Sequence, residues 1–563
     1  MNMKQILNHT ALNKAKLSVL SASITAMICS SAYSSDIDIY KAPTTGGSTT
    51  TLMMMLDVSG SMRVTHPTPE VALAACDFSS YTNANFYDWS KSTRTVPIDA
   101  STTLSYDRYT CRKSNSRGNY EYRYREWYQG GRNSGWYYSW ERCKNKDCTN
   151  AEYIQGEPNN LYSNGYGMKV VSNGTNDSYT YYYKISGTPS ETQNDRITKL
   201  KDAMVLLLVG GEDSHGTEVA RLDDKIILGL STLGAVNGTS TRNAGAILVP
   251  ARALNADVTV EGRTIKQRQL LLEKVLEINP ISGTPTANSY AETAAYLMGK
   301  STKGLKNTGF DWSESSVDTR DTSTYIQPKS IKDQYSLSNA AKECHAQGIY
   351  VLTDGEPNDL GNKNSDTGTL DLVRAALDDS SFACDGTKEG WDCIFKLNDS
   401  LVDSTKNKSK VNFLTAVIGF GKGFTVIPNT AQTESAIDAY SSVSSNVRNT
   451  AKWGVRGNGG WYSGESTEDI VNSFTQFLRK AKTDIPGIST GNATLPIDAL
   501  NSNAIQPYGY FPQFVPKVAT TESQRTWYGN LKKYHAVLGS LYGNRSGSYP
   551  GTITGSNPVI VPG

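Results

Sequence analysis

Leu52-Met53-Met54-Met55-Leu56-Asp57-Val58-Ser59-Gly60-Ser61-Met62 decides how this chain is read. An apolar run of strand length stops abruptly at an acid, two hydroxyls and a glycine. In an open α/β sheet, ligands sit just beyond the carboxyl ends of the strands, so these side chains are expected to line such a crevice. Asp57-x-Ser59-x-Ser61 offers only oxygen, and hard oxygen donors suit Mg²⁺, Mn²⁺ or Ca²⁺ rather than zinc.

Working outward, the chain alternates strands and helices. Ile197, Leu200, Met204, Leu207 and Leu208 fall at helical spacing within Asp195–Leu208. Asp224–Leu230 reads as a strand, and Ala246–Pro250 as a short edge strand, because proline is tolerated at edges. A helix is expected over about Thr264–Ile278. A second follows the Pro280–Thr286 loop, with Tyr290, Ala291, Ala294, Leu297 and Met298 on one face. Ser301–Ser338 reads as polar loop. Gly348–Gly355 is a buried strand ending at Thr353-Asp354-Gly355, Leu370–Leu377 a short helix, and Val411–Gly419 another buried strand. Ser466-Thr-Glu-Asp469 has the form of a capping box opening a helix through Ile470, Phe474, Phe477 and Leu478. This alternation predicts an α/β domain over about 48–482, a mostly parallel, doubly wound sheet covered on both faces. From Ile488 to Gly563 helical periodicity vanishes and Pro, Gly and Tyr rise, so 488–563 is expected to be the β-rich start of a further domain.

Between the first strand and the helix at Asp195, Arg63–Asn194 (residues 63–194) is far longer than an ordinary βα connection and reads as an inserted subdomain. Tyr120-Glu-Tyr122-Arg-Tyr124, Trp136–Trp140 and Ser178–Tyr183 read as strands, with a Gly-rich turn after Gln129. Tyr and Trp give a small disulfide-stapled β-module its core. They are also the residues enriched at recognition hot spots. Both readings stay open.

At 563 residues the chain is too long for one ordinary core. Its net charge of +2 leaves no electrostatic footprint for nucleic acid. Lys4, Lys14 and Lys16 precede an apolar stretch from Leu17 to about Cys29, followed by small residues through Ser34. That is the pattern of a secretory signal over 1–34, its apolar part too short to span a bilayer. No later stretch is apolar enough to span one. In an oxidising compartment most of the remaining cysteines should pair: Cys143 with Cys148, Cys384 with Cys393, and Cys76 with Cys111, leaving Cys344 single. The five histidines are scattered with no zinc-ligand spacing. Asn362-x-Asn364-x-Asp366 has some calcium-loop character, but Gly368 comes late and no acid closes the loop, so it reads as a polar turn.

Asp57-x-Ser59-x-Ser61, Thr284 in a loop between helices, and Thr353-Asp354-Gly355 after a buried strand resemble the metal-ion-dependent adhesion site of von Willebrand factor A domains. The resemblance implies a Rossmann-like fold with Mg²⁺ at the top of the sheet (Mn²⁺ or Ca²⁺ as substitutes). Ser59, Ser61 and Thr284 would contact the ion, with Asp57 and Asp354 acting mostly through water. Thr286 is the rival to Thr284, which is preferred because it directly follows Gly283. With hydroxyls and water around it, the ion keeps much of its charge and favours a partner's Glu or Asp at an open position.

The signal, the long insertion directly after Ser61-Met62, Ser282-Gly283-Thr284-Pro285, Val351–Asn358 and Trp527–Tyr534 together resemble the N-terminal part of the type IV pilus tip-associated PilC/PilY adhesin and biogenesis family of Gram-negative bacteria. Ser282 departs from that family's usual glycine. The resemblance implies an exported, pilus-associated adhesin or assembly factor, passing through the periplasm to the pilus tip or cell surface. Its partners would be pilus subunits or a host receptor offering a carboxylate. The alternative is a structural minor tip component that primes assembly, its metal only stabilising the fold. No Gly-x-Ser-x-Gly and no suitably placed histidine accompanies the serines, so no enzyme is expected.

Overall fold

Six strands form the central sheet: β1 (Thr50–Asp57), β2 (Ile227–Leu233), β3 (Ile247–Ala253), β4 (Ala346–Thr353), β5 (Leu414–Phe420) and β6 (Asn458–Gly464). Their order is β3-β2-β1-β4-β5-β6. Every neighbouring pair is parallel except β2 and β3, which are antiparallel. The computed structural model describes residues 49–481 apart from 65–74, 79–84, 100–101, 132–133, 160, 162–164, 236–242, 282, 338–341, 343–344, 356, 358–367 and 385–388. Beyond these it describes the backbone of strands within 488–542. The expected signal, Cys344, Ser282 and the Asn362–Asp366 turn lie outside the described residues.

Strand β1 is buried from Thr51 to Asp57, and its side chains alternate between two cores, as the period of two demands. Leu52, Met54 and Leu56 pack with helices α1 (Arg196–Val209), α2 (Gln267–Glu277) and α7 (Thr467–Ala481). Met53 and Met55 pack with α3 (Thr286–Leu297), α4 (Thr369–Leu377), α5 (Glu389–Val402) and α6 (Ser445–Arg456). The result is a mixed, mainly parallel sheet with helices on both faces, compatible with a Rossmann-like core.

The structure adjusts several expected boundaries. β2 starts at Ile227 rather than Asp224, because Ile226 closes a turn onto Asp223. α2 begins at Gln267: Arg263–Lys266 pairs instead with Asp257–Val260 in a hairpin, which suits its β-branched Thr264 and Ile265. β3 lies at the sheet edge, where Pro250 withholds no ladder bond the sheet needs. The Ser301–Ser338 segment is mostly loop but holds a short helix at Lys329–Lys332 and buries Phe310 and Tyr325. The capping box at α7 closes reciprocally: the Asp469 amide donates to Ser466 Oγ (3.1 Å), and the Ser466 amide to Asp469 Oδ2 (3.0 Å). Asp469→Ala should therefore lower stability by about 1 kcal/mol, read as a lower urea midpoint with an unchanged slope.

Between β1 and α1 the chain builds two antiparallel sheets. Phe86–Pro97, Thr103–Ser114 and Glu191–Asn194 form one. The other has the order Ala151–Ile154, Gly135–Cys143, Arg117–Gln129, Asp177–Ile185, Gly167–Ser172. Its aromatics divide between buried and exposed positions. Tyr120, Tyr182 and Tyr183 are buried, whereas Trp136, Tyr138 and Tyr153 are exposed. Disulfides join Cys76–Cys111, Cys143–Cys148 and Cys384–Cys393, the three expected pairs. The two ends of this segment meet, since the Val64 amide donates to Asp195 Oδ2 at 3.3 Å. Farther along the chain, Ile488–Ser489, Tyr508–Val515, Tyr528–Val537 and Ser540–Tyr542 form a four-stranded antiparallel sheet.

Candidate metal centre

Asp57 is the last residue of β1, and Thr353 the last of β4, its hydrogen-bonded neighbour. Both strands therefore end at the same rim, where a parallel sheet presents its ligand crevice. Asp57 is fully buried and ties this rim together. Its Oδ1 accepts the Ser59 amide (2.8 Å), and its Oδ2 accepts Thr353 Oγ1 and the Asp354 amide (both 3.1 Å). Ser59 and Ser61 follow on a tight 3₁₀ turn, Gly60–Met62, closed by the Met62 amide on Ser59 O. That turn points both hydroxyls the same way, 2.9 Å apart, and each donates to Asp354 Oδ1, at 3.0 and 2.8 Å.

The loop carrying Thr284 is pinned to the same rim by the Ile281 amide, which donates to Val58 O at 3.1 Å. Gly355 lies between the two loops: a β-carbon added there would stand 3.7 Å from Thr284 Oγ1 and 3.8 Å from Ser61 Oγ. Thr286 instead opens α3 and turns back, its amide and hydroxyl both reaching the Thr284 carbonyl, at 2.9 and 3.4 Å. The structure thus brings Asp57, Ser59, Ser61, Thr284 and Asp354 to one place, from three separate stretches of sequence.

Sequence reasoning missed the charge that faces this cluster. Arg196, in the first turn of α1 and almost wholly buried, donates from Nη1 to Asp354 Oδ2 at 2.8 Å and also binds Asp77. Asp77 adjoins Cys76, half of a disulfide, so its loop is tethered. A signal existed, since a cation in a helix's first turn opposes the positive end of the helix dipole.

The donor set can be tested against a hard divalent ion on electrostatic grounds. Asp354 has Arg196 on one oxygen, but Asp57 has only N–H and O–H partners, and no ion pair among the described residues. Burial, and then the neighbouring Asp354 charge, push the Asp57 carboxyl up to about 8. A buried acid held that far above its ordinary range is short of positive charge, and the side chains of Asp57, Ser59, Ser61, Thr284 and Asp354 offer only oxygen. The residues present fit Mg²⁺. Ser59, Ser61 and Thr284 would hold it, with Asp57 and Asp354 behind them, and its chemistry there is to offer positive charge to an incoming anion.

A second gathering of ligand-type groups, Asp213, His215 and Glu468, lies away from the sequence motifs, with ligand atoms all within 4.8 Å. Hydrogen bonds account for its geometry: Asp213 accepts the His215 and Thr217 amides, and Glu468 accepts Ser214. No family model, no curated protein and no solved structure matches the chain. Among the described residues, no helix is long and apolar enough to cross a membrane.

Proposed function

We propose that this chain is an exported binding protein of the von Willebrand factor A type, associated with type IV pili, which grips a partner's carboxylate through a divalent ion, Mg²⁺ in the first place. The observation that carries the reading is the convergence of two serine hydroxyls, a threonine hydroxyl and two acids at the carboxyl rim of a mainly parallel sheet. The sequence resemblance supplies the family and the pilus. Disulfides between Cys76 and Cys111, Cys143 and Cys148, and Cys384 and Cys393 suit an exported chain.

Binding to purified pilus subunits and to host-cell surfaces tests this. Removing divalent ions with EDTA, or substituting Asp57→Ala, should each weaken binding at least tenfold, and Mg²⁺ should restore only the wild type. Unchanged binding in both arms removes the ion from the mechanism. A purely structural role is favoured by one feature, the Asp57 carboxylate joining β1 to β4. On that reading Asp57→Ala lowers the melting temperature and piliation, while the protein that remains folded binds normally.

A further inference from the structure

We infer that the cavity beside the metal-bearing rim, with Arg63 and Lys201 facing into it, is a carboxylate-binding site for an acidic side chain of a protein partner. The cavity measures about 420 Å³ and lies between the Phe86–Ser114 hairpin, α1 and the end of α2. That size is within the range of small-ligand sites.

Lys201 reaches the cavity from α1. Its side chain is 92% buried, being 8% exposed, and its ammonium donates to Leu276 O (2.8 Å) at the end of α2. Arg63 stands on the opposite wall. Its guanidinium carbon lies 5.3 Å from the centre of the Tyr109 ring, Nη2 donates to Tyr109 Oη (3.1 Å), and Nη1 donates to Asn279 Oδ1. Every one of these partners is neutral. A helix C-terminus explains why Lys201 points there, but an ammonium has three donors, and among the described residues only one is used.

Two acids, Asp107 and Glu277, line the same cavity, each with a lysine of its own. Asp107 is bound by Lys91 (2.7 Å) and Thr93 (3.3 Å). Glu277 is 68% exposed and lies 3.6 Å from Lys274. Asp195 is occupied by the Thr198 and Val64 amides as the cap of α1. Among the described residues neither Arg63 nor Lys201 has a carboxylate within ion-pair distance, although Asp195 and Asp107 act on Lys201 from farther off. Burial, and then repulsion from Arg63, push the Lys201 ammonium down to about 8. An anion between them would relieve that repulsion, and a planar carboxylate matches the fork of a guanidinium.

The position suggests the source of the carboxylate. Arg63 is two residues from Ser61, so their α-carbons are at most about 7 Å apart. One extended partner segment could place one acid at the metal and a second in the cavity. This last step rests on the proposed metal reading, whereas the anion site itself does not.

The test uses the full chain, with calorimetric titration of an N-acetylated peptide amide carrying two glutamates separated by one glycine, and of free glutarate. In EDTA, wild type should bind the peptide. Arg63→Gln and Lys201→Met should each weaken it at least tenfold while circular dichroism shows them folded. Adding Mg²⁺ should tighten wild type. Peptide binding in EDTA that is absent, or indifferent to Arg63→Gln, overturns the site, as does binding of glutarate with the peptide excluded. Failure of Mg²⁺ to tighten wild type, with the EDTA result intact, would count against the metal reading only.

Discussion

Substituting Arg196→Met should destabilise the protein by about 3–5 kcal/mol, the usual cost of removing one partner from a buried ionic cluster. In a domain of this size that amounts to a melting temperature lowered by about 3–5 °C. The reason is specific. Arg196 is the counter-ion shared by Asp77 and Asp354, both nearly inaccessible to solvent. Without it, two carboxylates remain buried beside Asp57. The same substitution carries a test of the metal reading, because a divalent ion would now be the main positive charge left at Asp354. Mg²⁺ should therefore raise the melting temperature of Arg196→Met by more than it raises that of wild type. Equal shifts, or none in either protein, would show that no ion sits against this acid.

The second large effect is a dependence on pH that disappears when metal is added. The Asp57 carboxyl, ordinarily near 3.8, is pushed up to about 8 in the folded protein by burial and by Asp354. Between those two values the folded state keeps a proton that the unfolded chain has released. Stability in EDTA should thus fall as pH rises through that window, by at most about 1.4 kcal/mol per pH unit, and level off above it. A bound cation takes the place of that proton, so Mg²⁺ should stabilise little at pH 5 and strongly at pH 9, releasing protons on binding near neutrality. Thermal melts across pH 5–9, with EDTA and with Mg²⁺, measure both slopes. A gain from Mg²⁺ that does not change with pH would detach the ion from Asp57.

Much of the sheet was legible in the sequence because apolar runs ended at polar, loop-forming residues. Leu52–Met62 and Gly348–Gly355 marked β1 and β4 together with the acids that terminate them. The side-chain spacing of α1, α3 and α7 marked the helices that cover them. What escaped notice had physical reasons. β6 reads Asn458-Gly-Gly-Trp-Tyr-Ser-Gly464, a composition that propensity assigns to a turn. The structure needs a glycine there: a β-carbon on Gly459 would lie 2.3 Å from the Thr415 carbonyl carbon of β5. Close approach between neighbouring strands, invisible along the chain, overrode the local preference. α6 was missed because few of its residues are apolar, although Ser444 caps it by accepting the Val447 amide. The apolar spacing of α5, through Ile394, Leu397 and Leu401, was present to be read.

The five oxygen-bearing residues at the rim were readable because Asp57, Ser59, Ser61 and Asp354 end or closely follow strands and Thr284 sits in the loop just before a helix. Arg196 and Asp77 were not, since their pairing spans 119 positions and depends on how the segment after β1 folds back. The same long-range dependence hid the cavity between Arg63 and Lys201.

The meeting of Val64 with Asp195 has an architectural consequence. Because the chain leaves and rejoins the sheet domain at neighbouring points, everything in between behaves as a cassette. Its length and sequence can be exchanged without stretching the backbone on either side. Such an exchange would forfeit the Asp77 clasp on Arg196, the Arg94, Tyr106 and Arg108 contacts to Asp202 and the core packing of Val96 and Tyr106, so a replacement must bring an acid to the guanidinium and partners to Asp202.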